Sequence, residues 1–369
     1  MTDNNQKIQA DSFLTKNDTL ILKGIAVLLL VFHHILAYPD RIPIELNTIV
    51  SGSLAQHIGD FGKLSVAVFS FLGGYGKYLK YKERQTDVID DLKKLYLRYW
   101  KIFIIFIPIA FIFFRDQTPY CLDESIYSCY SVFSIKELLL NFAGVIVTYN
   151  REWWFIIIYV SFICMFPLFK KIADRYSVLI NLVFALILQA ILLSLDTLDV
   201  LLQNDLYFNV FFMKSFYLIA FYLGVIFARF GLFSKAEHLL KKKTVRYIVA
   251  IFSLAAMFFI RVFVPDFGLF FDAIYAIIFV FSLKTLLSGL SRVSAVFALF
   301  GKHSMNIWLV HTFFCYYFGI IAVLIFSLKW FVPVFLVVLG LSFLASFIID
   351  AFYAAIGKGT KRIINTVFK

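Results

Sequence analysis

The sequence predicts an all-α fold: a polytopic membrane helix bundle of about ten transmembrane helices with both termini in the cytoplasm. Three observations lead there. Of 369 residues, 62% are hydrophobic and 19% aromatic, only 16% are charged, and the mean hydropathy is +0.86. Those are the values of a chain that lives mostly in lipid. Apolar runs of about 18 to 25 residues, the length that crosses a bilayer as a helix, recur from one end to the other. The lysines and arginines gather in alternate connecting segments, as they do where basic loops are retained on the cytoplasmic side.

The runs fall at residues 20 to 38, 57 to 76, 99 to 114, 153 to 169, 177 to 195, 206 to 228, 247 to 264, 269 to 287, 304 to 326 and 331 to 352. With those ten spans, 27 lysines and arginines lie on one side and 5 on the other. An error of one span would scramble that asymmetry, so it assigns the first segment (1–18) and the basic tail (355–369) to the cytoplasm, with a single membrane domain at 19–354 between them. The first run follows a polar segment and ends at Tyr38-Pro39-Asp40 without a small-residue cleavage site; it reads as an uncleaved span, not a signal peptide. Ser134 to Tyr149 is apolar enough for a re-entrant or interfacial helix and stays outside the count.

Net charge is +12, but the basic residues sit at the ends of apolar runs, which speaks for a membrane face and against nucleic acid. Cys164 and Cys315 lie in apolar runs, and Cys121 and Cys129 share one outer loop where pairing is open. No Cys/His spacing suggests a metal.

Ionisable residues inside a span are costly and mark candidate sites. The first run carries Lys23, His33 and His34. Lys23 and His34 are three helical turns apart, hence on nearly one face, while His33 points about 100° away. Entering from the cytoplasm, the histidines lie roughly 20 Å in, past the middle of the core. The same arithmetic puts Lys63, Lys214, Arg261 and Asp272 in the outer half, with Arg261 and Asp272 the readiest structural ion pair. Glu152 stands at the outer start of the fourth span, before Trp153 and Trp154. His311 falls near mid-membrane, where it either faces the cavity of His34 or bonds a neighbouring carbonyl. At the inner rim, Arg98 and Lys101, one turn apart, suit phosphate or simple anchoring. Gly73 and Gly74 permit close helix approach.

Several stretches together resemble the acyltransferase-3 family of integral membrane O-acyltransferases. Lys23-Gly24-Ile25-Ala26 through His34 is similar to its first-helix motif, and Ser65 to Tyr75 to the element ending in Gly-Tyr. Arg98-Tyr99-Trp100-Lys101 resembles the paired-arginine start of the third helix. Trp154-Phe155 with Pro167 and Gly301 through His311 resemble two later motifs. Lys23, Lys101 and Gly73 replace two arginines and a serine of the family pattern.

The resemblance implies a stand-alone enzyme of a bacterial cytoplasmic membrane. It would be an O-acyltransferase, most simply an O-acetyltransferase, taking the acyl group from cytoplasmic acetyl-CoA or another acyl-CoA, with no bound cofactor. The acceptor would be a hydroxyl of a surface polysaccharide, capsular or exopolysaccharide, or of a lipid-linked glycan. His34 would act as base or transient acyl carrier, with His33 and His311 as further catalytic candidates. Lys23, Arg98 and Lys101 would meet the donor phosphates, and Lys63, Glu152, Trp153, Trp154, Lys214, Arg261 and Asp272 would face the acceptor. An exporter or flippase of the same fold is the alternative, and a non-catalytic scaffold in a glycan-synthesis complex a third.

Overall fold

The computed structural model describes residues 13–50, 52–82, 84–115, 130–202, 217–264 and 268–367. Lys214, Cys121 and Cys129 lie outside them. Helix is the regular secondary structure of the described residues, apart from an isolated bridge between Asn47 and Trp330. Its helices are α1 (Lys16–Leu36), α2 (Gly52–Phe61), α3 (Leu64–Tyr81), α4 (Val88–Phe113), α5 (Ile135–Phe142), α6 (Phe155–Arg175), α7 (Val178–Leu202), α8 (Tyr217–Phe230), α9 (Leu232–Leu239), α10 (Lys243–Phe263), α11 (Gly268–Leu286), α12 (Ser291–Thr312), α13 (Gly319–Phe326) and α14 (Phe331–Val367).

Among the described residues, six segments are long and apolar enough to cross a membrane: Lys16–Leu36, Val88–Phe113, Arg151–Arg175, Lys243–Phe263, Ser291–Tyr317 and Phe331–Ile356. A seventh arises if α8 and α9, bent by 66° at Gly231, are taken as one. The other windows hold shorter or partly described helices. The window 57 to 76 is divided between α2 and α3. The window 304 to 326 misses thirteen residues of helix, because Arg292, Lys302 and His303 depress hydropathy where the backbone is already helical from Ser291. It is also interrupted by a π-turn at Phe313–Tyr317.

Two compact units make up the chain. The first comprises residues 1–30, 60–92 and 154–301. Its centre is the pairing of α3 with α8. A Cβ on Gly74 would stand 1.9 Å from the Phe221 carbonyl oxygen, and one on Gly224 would stand 2.1 Å from that of Phe71. The glycines are reciprocal, each letting the other helix's backbone approach. A second reciprocal pair joins the first half of α1 to α12, with Gly24 against Phe297 O and Gly301 against Leu20 O, both 1.9 Å from a built Cβ. The aromatic rings of Phe71, Tyr75, Phe227 and Phe233 fill the space beside the α3–α8 contact.

The second unit comprises residues 31–59, 93–153 and 302–369. Within it the segment 130–149 forms a hairpin along α4. Phe111, near one end of α4, is 5.5 Å from the ring of Tyr130 and 5.2 Å from that of Tyr149, and Tyr130 Oη donates to Tyr149 O at 2.6 Å. The tip touches α4 at Trp100, whose ring stacks on Phe142 at 4.8 Å. Trp100 and Phe111 are about 16 Å apart along a helix. The segment therefore runs that far down α4 and returns to the level at which it started. Ser134 to Tyr149, read from the sequence as a re-entrant or interfacial helix, is thus a short helix and a return arm packed along α4.

Its local chemistry explains the shape. Ser134 Oγ accepts from Glu137 N at 3.3 Å and caps the start of α5, as Ser-x-x-Glu predicts. At the other end Gly144 adopts φ +68°, its N–H reaches Asn141 O at 2.8 Å, and Val145 N reaches Leu140 O at 3.0 Å. That is a Schellman stop, which needs a left-handed residue. The last carbonyls then receive side chains of α4: Tyr99 Oη to Asn141 O at 2.7 Å, Trp100 Nε1 to Phe142 O at 2.9 Å and Tyr96 Oη to Ala143 O at 2.8 Å. Inside lipid no water would satisfy those groups.

Two outcomes follow for thermal unfolding of detergent-purified protein. Gly74→Ala and Gly224→Ala each lower stability by about 1 to 3 kcal/mol or more through overpacking. Gly73→Ala, whose Cβ meets only side chains at 3.6 Å, is neutral or gains up to about 1 kcal/mol from helix propensity. Equal losses at all three glycines would contradict the close-approach account.

Candidate active site

His33 and His34 end α1, and His311 is the penultimate residue of α12. All three are buried, and all belong to the second unit. The ring centroids of His34 and His311 are 5.0 Å apart, and those of His34 and His33 5.2 Å. The three imidazoles are not equivalent. His33 Nδ1 lies 3.1 Å from the Gly59 carbonyl oxygen, where α2 meets the end of α1: a Cβ on Gly59 would stand 2.6 Å from Ala37 N. His33 thus ties two backbone segments together.

His311 Nδ1 is 2.8 Å from Trp308 O and 3.1 Å from Ile307 O, carbonyls of its own helix. A carbonyl only accepts, so Nδ1 carries the proton and the neutral ring keeps its lone pair on Nε2. That nitrogen is buried and has no hydrogen-bond partner among the described residues.

The π-turn after α12 brings two tyrosines onto the same neighbourhood, in keeping with the frequent placement of such turns at functional sites. Tyr316 Oη donates to the backbone carbonyl of His34. Tyr317 Oη donates to Glu152 Oε2 at 2.8 Å and accepts from Arg151 N at 2.9 Å. The other carboxylate oxygen of Glu152 accepts from Arg41 Nη1 at 3.2 Å. The Arg41 guanidinium lies 4.2 Å from the Tyr38 ring centroid, and that ring is 5.1 Å from His33 and 6.1 Å from His34. Arg41 keeps its proton more firmly than usual: burial works against its charge, but the Glu152 carboxylate outweighs it.

The strand of chain carrying Glu152 is itself anchored to α12. Asn150 Nδ2 donates to Thr312 Oγ1 at 2.9 Å, and Trp153 Nε1 to Leu309 O at 2.9 Å. Trp153 is fully buried against Tyr99 and Phe313. Its position is that of an anchor.

Arg98 is exposed and Lys101 half-buried on α4; the Lys101 ammonium is 5.1 Å from the Tyr353 ring. The remaining candidates belong to the first unit. Lys23 is half-buried on α1, and Lys63 occupies the break between α2 and α3. Trp154 stacks on Tyr217 at 5.9 Å. Arg261 and Asp272 form a buried ion pair, and Arg261 Nη2 also donates to Asp60 O at 3.0 Å. Their geometry is that of the structural pair expected from the sequence. No group of three or more metal-binding side chains occurs among the described residues.

Arg41, Tyr38, Tyr316 and Tyr317 did not stand out in the sequence. Arg41 is one of the five basic residues on the sparse side of the charge count, and that isolation was its signal; the tyrosines had none.

A chain of apolar helices with buried imidazoles and a paired carboxylate is a multi-pass membrane protein with a polar interior. It belongs to the acyltransferase-3 family: the family's acyltransferase domain matches residues 21–351, which include every histidine and carboxylate just described. By family it is a membrane acyltransferase. No curated protein and no solved structure matches it.

Glu152→Gln and Arg41→Gln, combined in a double-mutant cycle of thermal stability, return a coupling of about 1 kcal/mol, moderated by the partial exposure of Arg41. Strict additivity would deny that the pair holds the loop before α2 to the segment carrying Glu152.

Proposed function

We propose that the protein transfers an acyl group, most simply acetyl, from a cytoplasmic acyl-CoA to a hydroxyl of a surface polysaccharide or lipid-linked glycan. The observation that carries the proposal is the buried pair His34 and His311, with ring centroids 5.0 Å apart. Acyl transfer to a hydroxyl needs a nitrogen lone pair held still beside the reacting oxygen. His311 has a tautomer fixed by its own helix, and His34 lies against it.

In this mechanism the acceptor oxygen attacks the thioester carbonyl carbon while His34 takes the hydroxyl proton. The carbon–sulfur bond then breaks and the thiolate leaves with the pantetheine arm. His311 stands next to His34 as the second proton acceptor, with Nε2 as the accepting atom. Tyr316 holds the backbone of His34, and the Arg41–Glu152–Tyr317 network walls the site, with the Tyr38 ring as an apolar face suited to a sugar. Lys23, Arg98 and Lys101 meet the phosphates of the donor. Lys63, Trp154, Arg261 and Asp272 belong to the outer half through which the acceptor approaches.

The same reading places ten spans in a bacterial cytoplasmic membrane with both termini inside. Its support is the division of basic residues, 27 against 5. A donor from the cytoplasm and an acceptor from outside then meet within the bundle.

Nuclear magnetic resonance of the surface glycan from cells carrying variants tests the assignment. His34→Ala and His311→Ala abolish the O-acyl signal, a loss of at least about a hundredfold for a general base, with unchanged protein in the membrane. His33→Ala lowers stability but leaves a measurable signal. A full O-acyl signal from His34→Ala would reject the mechanism, and loss of the polymer itself would point to export.

A further inference from the structure

Outside the site just described, the first unit contains an open cleft lined by charged side chains. It has a volume of about 460 Å³ and lies between residues 84–86 and the last turns of α6. Pro167, Lys170, Lys171, Asp174 and Arg175 line it from α6, and Arg84, Gln85 and Thr86 from the segment leading to α4. On a helix, positions 167, 170, 171, 174 and 175 share one face, so the sequence itself directs Lys170, Lys171 and Arg175 to one side.

The charges on this wall do not balance. Four cations face one carboxylate, Asp174, and that carboxylate is already engaged: Lys170 Nζ at 2.6 Å, Arg229 Nε at 3.0 Å and Tyr78 Oη at 2.8 Å. Among the described residues no carboxylate pairs with Arg84, Lys171 or Arg175. Arg84 donates through Nε to Lys80 O at 2.8 Å and stacks beside Tyr81, and Arg175 lies beside Tyr176. Those contacts orient the guanidinium groups without neutralising them.

Cations at the cytoplasmic end of a helix are ordinary anchors, and they also complement its dipole. Anchors fan outward into water, however. These converge on one open cleft from two segments, where an anion would relieve their mutual repulsion. Guanidinium forks and ammonium groups in that combination are the donors that phosphate takes, and Gln85 and Thr86 add neutral donors.

We propose that this cleft binds a phosphate-bearing anion at the membrane rim. The phosphate has two sources with one chemistry: an anionic lipid headgroup, for which basic pockets between helices at the cytoplasmic face are suited, or a soluble nucleotide phosphate. The site stands on its own residues and does not depend on the transferase reading.

The test uses the full-length protein and two probes: adenosine 3′,5′-bisphosphate added to protein in uncharged detergent, and phosphatidylglycerol in nanodiscs, with phosphatidylcholine nanodiscs as reference. Affinity is read for the bisphosphate and thermal stabilisation for the lipid. Two double variants are compared with the native chain, Lys171→Glu with Arg175→Glu and the milder Lys171→Gln with Arg175→Gln. Both residues changed are exposed, and the glutamine pair guards against a folding loss.

At least one probe is expected to bind the native chain, more weakly at higher salt. The apparent affinity falls at least tenfold, or the stabilisation disappears, in the glutamine pair and further in the glutamate pair. Response to phosphatidylglycerol alone identifies the headgroup, and response to the bisphosphate identifies a soluble ligand. Absence of response to both probes, or native-like binding by the glutamine pair, overturns the proposal.

Discussion

A polar group inside an apolar helix bundle has to find its partner within the protein, because lipid offers none. Much of this chain's long-range organisation follows from that constraint. The indole of Trp153 reaches the Leu309 carbonyl, His33 reaches Gly59, and Asn150 reaches Thr312. Arg261 is met by both Asp272 and the Asp60 carbonyl. Even the tip of the hairpin along α4 has its last carbonyls covered by Tyr96, Tyr99 and Trp100. His311 Nε2 is among the few buried polar atoms that have no hydrogen-bond partner among the described residues, and its lone pair stands beside the ring of His34.

The same hydrogen bonds convert sequence neighbours into a site. Residues 150–153 follow directly on the return arm of the hairpin, so anchoring the hairpin along α4 fixes where Glu152 and Trp153 stand. The π-turn at Phe313–Tyr317 then turns Tyr316 and Tyr317 to two different partners, the backbone of His34 and the carboxylate of Glu152. One irregularity in one helix thereby joins the histidine helix to the carboxylate segment. An uninterrupted α-helix would put adjacent tyrosines about 100° apart without this shift in register.

The all-helical membrane class was legible in the sequence because hydropathy reports lipid contact directly. The glycine at 74 and the ion pair of Arg261 with Asp272 were legible for the same reason: few explanations suit them inside a span. Boundaries were harder. Ser291 to His303 is a helix whose arginine, lysine and serines conceal it from a hydropathy window, and the second window is divided by a turn at Gly62-Lys63 that no hydropathy step marks. In the candidate site, His34 and His311 could be read from motif and depth. Arg41 could not be connected to Glu152, since 111 residues separate them and no local period links a loop arginine to a distant carboxylate. His34 was separated from His33 by the helix face it shares with Lys23, and the Gly59 carbonyl adds what His33 bonds to.

The account rests on direct acyl transfer by the paired imidazoles, and purified full-length protein in lipid vesicles tests it most directly. Supplied with acetyl-CoA labelled in the acetyl group and with the surface glycan as acceptor, the native chain is expected to place base-labile label on glycan hydroxyls and to release free CoA in equal amount. The His34→Ala chain should do neither. Equal labelling by both chains, or none by a native chain shown to be folded, would contradict it.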